Sequence, residues 1–156
     1  MIFAPEHLSA RDGRPNLTMA VEARDRPGPA YKHDVLSDDV VWIRMGPLLI
    51  AKAEIKLARK IEYAFTKELR ERTKGSELYD LDAFWSGKPK IGYAVVAELK
   101  EARFLPEPAL AGPRTYGYDW IVLENERKHE TWLTRRPPEG KDRDLVARYR
   151  EMTTVG

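Results

Sequence analysis

The chain has no cysteine. Disulfides, zinc–thiolate centres and thiol catalysis are therefore excluded. It also has little excess charge: 27 Lys and Arg stand against 25 Asp and Glu, a net of +2. A strongly basic nucleic-acid binder carries more, so any phosphate contact must come from a local patch. No apolar run reaches membrane-spanning length, and no membrane partner is expected. The opening residues, MIFAPEHLSARDGRPN, lack the basic start and apolar segment of a signal peptide, so a soluble cytoplasmic protein is expected. The histidines His7, His33 and His129 lie far apart, and none has a second ligand at metal spacing. His33 and Asp34, being adjacent, would point to opposite faces of an extended segment. A Gly-rich phosphate loop, a serine nucleophile elbow and an HExxH motif are all missing. No metal and no cofactor are expected, and no internal repeat is present.

What is present suits one domain of 156 residues, with a packed core under a very polar surface: 42% of residues are hydrophobic and 33% charged. Four Trp and seven Tyr are generous for this size and can serve both the core and stacking.

The clearest pattern is strand alternation over Leu48 to Ala58. Leu49, Ala51, Ala53, Ile55 and Leu57 form one face. The other begins apolar, with Leu48 and Ile50, and turns charged at Lys52, Glu54 and Lys56. Val40 to Met45 (VVWIRM) reads as the strand before it, across a Gly46-Pro47 turn. Leu17 to Ala23 reads as an earlier strand, and 24–31 (RDRPGPAY) as a proline- and glycine-rich loop. Thr66 is a good N-cap for a helix to about Arg72, closed by Lys74-Gly75.

Ser76 to Pro108 is the most structured stretch. Ser76 is the expected N-cap of a short helix, with Glu77 and Asp80 in its first turn and Leu78, Leu81 and Trp85 at helical spacing. Gly87 is its stop signal. Ile91, Tyr93, Val95, Ala97 and Leu99 then alternate against Gly92, Ala94, Val96, Glu98 and Lys100. That strand should be buried on both sides at its start and run out to solvent. Phe104-Leu105-Pro106-Glu107-Pro108 should end it, because proline cannot donate to the ladder. Tyr118 to Glu124 and Glu130 to Thr134 read as further strands, after a loop at Gly112 to Gly117. Lys141 to Met152 reads as an amphipathic helix carrying Leu145, Val146, Tyr149 and Met152, packed on the sheet or on a second subunit.

The order Phe84-Trp85-Ser86-Gly87, then Gly92-Tyr93-Ala94-Val95-Val96, then Phe104-Leu105-Pro106 resembles the PUA-like superfamily, the small β-barrels that include ASCH and EVE domains. The resemblance runs back through Leu48 to Leu57 and forward to Trp120-Ile121-Val122-Leu123. The Gly-x-Lys-x-x-Glu-x-Arg signature of many ASCH domains is absent. The pattern of elements alone gives an α+β fold on a mixed or antiparallel barrel. The resemblance implies a single PUA-like domain over 1–156: an irregular arm at 1–15, a barrel at 16–134 with short peripheral helices, and a C-terminal helix at 139–153.

Three sets of residues are candidates for function. PUA-like domains bind RNA, or a flipped or modified base, in a cleft at the barrel edge. Such recognition needs aromatic faces, polar groups and nearby cations. Trp42, Arg44, Lys52, Arg114, Tyr116, Tyr118 and Trp120 are the residues expected to supply them, with RNA favoured over duplex DNA. The alternative for each is plain structure: indoles in the core and cations in solvent. The second set is Glu98 and Lys100, which share a strand face as in the Glu-x-Lys element of metal-dependent nucleases, with Asp80 or Asp82 as the further acid. A third reading is a small-molecule or protein-interaction barrel that forms a homodimer through its last helix. Catalysis is not required by the first reading; as an enzyme, the chain would be a nuclease or another hydrolase.

Overall fold

A computed structural model describes residues 2–3, 10–11, 13–33, 35–45, 48–111, 135–136, 140 and 142–155. The strands are β1 (Ile2–Phe3), β2 (Ala10–Arg11), β3 (Arg14–Pro15), β4 (Met19–Arg24), β5 (Val40–Met45), β6 (Leu48–Tyr63), β7 (Gly92–Ala111) and β8 (Arg135–Arg136). The helices are α1 (Pro29–Lys32), α2 (Thr66–Glu71), α3 (Asp82–Ser86) and α4 (Asp142–Val155). One sheet has the order β1-β5-β6-β7-β4, with β8 also on β7, and β2 and β3 make a separate pair. The pairing is mixed: β1 runs parallel to β5, whereas β4 and β8 run antiparallel to β7. The fold is thus α+β, with a mixed sheet and short helices.

The chain forms two compact units, Met1–Asn16 with Val41–Ala53 and Glu101–Gly156, and Leu17–Val40 with Glu54–Lys100. In the first, Val41, Ile43, Leu48, Leu49, Ile50, Ala51 and Ala53 are all buried. They are apolar positions of β5 and of the start of β6, where both faces are covered from Ile43 to Met45 and from Leu48 to Ala51. Within residues 1–15, expected as an irregular arm, Ile2 pairs with Ile43 and Phe3 with Arg44. Gly13, at φ +74, lies between β2 and β3. That left-handed conformation suits glycine, as the Asp12-Gly13 signal implies. On α4, Tyr149 is 5% exposed and donates its hydroxyl to the Leu105 carbonyl at 2.6 Å. Its ring meets Phe104 edge-on at 5.8 Å.

In the second unit, β4 pairs with β7 from Met19↔Glu98 to Arg24↔Tyr93. Met19, Val21 and Ala23 therefore share a face with Ala94 and Val96. That face packs with Tyr63, Leu69, Leu78 and Trp85 in one apolar cluster. The close fit requires Gly92: a Cβ there would lie 2.2 Å from the Arg24 carbonyl oxygen. β7 is buried on both sides at Ala94, Val95, Val96 and Ala97 and half-buried at Glu98 and Lys100, the course read from its alternation.

Several local expectations are corrected. β7 does not stop at Pro106 but continues to Ala111, where Leu110 pairs with Arg136. A strand can run through proline where its missing N–H would face no partner. Ile91 precedes the strand and is 69% exposed. β6 extends to Tyr63, five residues past its expected end. Residues 29–32, expected as loop, form α1. Thr66 is not the cap of α2; Phe65 is, and the Thr66 hydroxyl donates to the Pro89 carbonyl at 3.1 Å.

Ser76 does not open a helix either. Its hydroxyl donates to the Thr73 carbonyl at 2.6 Å and accepts the Leu78 amide at 3.3 Å. Arg70 Nε donates to the Tyr79 carbonyl at 2.7 Å. The Arg70 guanidinium thus takes a carbonyl that a continuing helix would use, the stretch closes as turns, and helix begins only at Asp82. Glu77 serves β4 instead of a helix dipole. Its carboxylate accepts the amides of Thr18 and Met19, at 2.8 and 3.2 Å, and the Thr18 hydroxyl at 2.6 Å. The strands expected at 118–124 and 130–134, the loop at 112–117 and the Gly46-Pro47 turn lie outside the described residues.

Candidate nucleic-acid interface and an open cleft

In the first unit, β5 and β6 are neighbours in the sheet. Trp42 on β5 is half-buried, and Lys52 on β6 is exposed. The Lys52 ammonium lies over the indole, 5.1 Å from its centroid, where the ring quadrupole attracts a cation. Two of the expected site residues are thus brought together at the surface. Arg44, two positions along from Trp42, is only 3% exposed, so its guanidinium is held within the unit. Arg114, Tyr116, Tyr118 and Trp120 lie outside the described residues.

In the second unit, Glu98 and Lys100 are engaged differently. The Lys100 ammonium meets the Asp38 carboxylate at 2.6 Å. Asp38 is fixed in the left-handed region, at φ +72, and its amide donates to the Ile55 carbonyl at 2.7 Å. Asp82 pairs with Arg70 at 2.7 Å, and Asp80 is exposed. No group of three or more His, Cys, Asp or Glu is placed to hold a metal among the described residues.

Glu98 faces an open cleft of about 260 Å³. Its floor is Met19, Leu57, Ile61 and Val96, and Arg59 and Arg72 complete its wall. Three strands build it: β6 supplies Leu57, Arg59 and Ile61 at alternate positions, β7 supplies Val96 and Glu98, and β4 supplies Met19. Arg72 is the C-cap of α2. Sequence reasoning missed Arg59 and Ile61. The signal was there, because the alternation of Leu57 continues through Arg59, Ile61 and Tyr63.

Beside the cleft-forming sheet, Glu22 is 3% exposed and accepts the amides of Ala30 and Tyr31 at 3.2 and 3.4 Å. It thereby satisfies the opening donors of α1 from a neighbouring strand. Tyr31 meets Tyr93 edge-on at 5.3 Å, with the Lys60 ammonium 5.4 Å from its centroid. No helix among the described residues is long and apolar enough to cross a membrane.

Compared with protein-family models, curated proteins and solved structures, the chain matches none.

Proposed function

We propose that the chain is a PUA-like nucleic-acid-binding module, acting on single-stranded RNA in the cytoplasm. The observation that carries this reading is the Trp42–Lys52 pair, a half-buried indole with an exposed ammonium over its ring. A base and a phosphate need such a pair: a flat face to stack on and a cation beside it. Lys52 exchanges the ring for a phosphate as the base takes its place. Arg114, Tyr116, Tyr118 and Trp120 supply the further cation and stacking faces in the proposal, and Arg44 shares the strand of Trp42. The low net charge favours RNA over duplex DNA, since the grip is by stacking rather than by many phosphates. Self-association takes place through α4, by way of its half-buried Leu145 and Val146.

The test is the affinity of Trp42→Ala for a labelled single-stranded RNA, next to single-stranded DNA and duplex. Stacking of one base contributes about 1–3 kcal/mol, so binding should weaken roughly tenfold or more with the melting temperature nearly unchanged. Unchanged affinity would end the reading, and so would a variant that fails to fold.

A further inference from the structure

The cleft around Glu98 holds three ionic groups that do not use one another. Among the described residues, the side chains of Glu98, Arg59 and Arg72 have no hydrogen-bond or ion-pair partner. The half-buried Glu98 carboxylate keeps its lone pairs available to a ligand. Opposite charges that line one cleft and stay unpaired are set for a ligand that bridges them. Between them lie only apolar side chains: Met19, Leu57, Ile61 and Val96. The ligand must therefore have a flat or apolar body, a pair of donors for the carboxylate and an anionic group for the guanidiniums.

We propose that this cleft binds a guanine nucleotide. Guanine presents N1–H and the 2-amino group side by side on its Watson–Crick edge, and a carboxylate accepts both. Adenine and cytosine each offer one amino group beside an acceptor, and uracil sets its single N–H between two carbonyls. Both arrangements place an oxygen or nitrogen lone pair against Glu98. The ring rests on Met19, Ile61 and Val96, and the phosphate meets Arg59 and Arg72, whose planar forks match its geometry. The choice of ligand class rests on the nucleic-acid reading, but the residues are others than Trp42 and Lys52. The nucleotide has two sources, a free mononucleotide or an unpaired guanosine in RNA.

The experiment is calorimetric titration of the full chain with GMP, AMP, CMP, UMP and guanosine. Glu98→Gln and Arg72→Ala follow, each checked by thermal melting. GMP should bind about tenfold tighter than the other nucleotides, the discrimination typical of a bidentate contact. Glu98→Gln should erase most of that preference. Arg72→Ala, on the surface, should weaken all four nucleotides alike and leave guanosine unaffected. Four equal affinities would overturn the proposal, as would a guanine preference that survives Glu98→Gln. An apolar amino acid such as leucine binding in place of GMP would overturn it too, since a zwitterion also bridges the charges.

An RNA strand without guanine separates this proposal from the Trp42 reading. If that strand binds and GMP does not, the cleft proposal falls alone. If GMP binds and a guanine-containing strand does not, the cleft stands and its ligand is the free nucleotide.

Discussion

Lys52 holds its ammonium 5.1 Å from the centre of the Trp42 ring, across two neighbouring strands. The contact is at the surface, where a cation over an aromatic ring contributes about 0.5–1 kcal/mol. Lys52→Ala should therefore cost under about 1 kcal/mol in stability. It should nonetheless weaken RNA binding at low salt and lower the salt dependence by about one phosphate contact. An unaltered salt slope would show that Lys52 meets no phosphate.

Gly92 and Gly87 are expected to differ sharply. A Cβ on Gly92 would strike the Arg24 carbonyl oxygen at 2.2 Å, and the obstacle is backbone. Gly92→Ala should cost about 1–3 kcal/mol, because β4 must be pushed off β7. Gly87 has φ −85 and nothing within 4 Å of such a Cβ. Gly87→Ala should be neutral or stabilising by about 0.5 kcal/mol through the unfolded chain. Thermal melting of the two variants decides it, and equal shifts would contradict the register described.

Glu77 closes the exposed end of β4, the edge of the sheet order. Edge strands with free donors invite pairing with other chains. Glu77→Ala should cost about 1–2 kcal/mol and raise aggregation near the melting temperature. Glu77→Gln, which keeps an acceptor, should recover part of the loss. Light scattering during a melt reads both.

The alkaline limb of stability should report two tyrosines. Burial raises the hydroxyl pKa of Tyr63, and the Asp25 carboxylate adds to the rise; burial alone raises that of Tyr149. A raised value means that the fold favours the neutral phenol. Their contribution is complete below the ordinary value of 10.0 and is lost as pH climbs past it towards the folded-state value. Melting temperature should fall above that pH, and Tyr149→Phe should flatten the fall. Tyr63→Phe should flatten it as well, and each variant should cost about 1 kcal/mol at neutral pH for its lost bond to the Pro89 or Leu105 carbonyl. A decline equally steep in both variants would remove the tyrosines as its cause.

Local patterns foretold the fold best where burial and alternation agree. β5 has the bounds read from VVWIRM, and β6 has the faces read from Leu48 as far as Ile55, whereas Leu57, expected on the core face, is 39% exposed. The end of β6 was hidden because Arg59, Lys60 and Glu62 look like solvent, although Tyr63 beyond them is 3% exposed. Ser76 misled because a good cap residue is also a good turn former, and here its hydroxyl joins the Thr73 carbonyl to the Leu78 amide in a turn. Of the candidate site, the closeness of Trp42 and Lys52 follows from neighbouring strands whose charged face begins at Lys52. The cleft was not legible: Met19, Ile61, Arg72 and Glu98 are distant in sequence and meet only through the register of β4 on β7 and the placing of α2.

The most direct measurement of the central claim is tryptophan fluorescence during titration with single-stranded RNA at low and high salt, for the chain and for Trp42→Phe. Stacking predicts quenching that Trp42→Phe largely abolishes, although three other tryptophans remain, and an affinity that falls with salt. No quenching, or quenching of the same size in Trp42→Phe, would contradict a base held on Trp42.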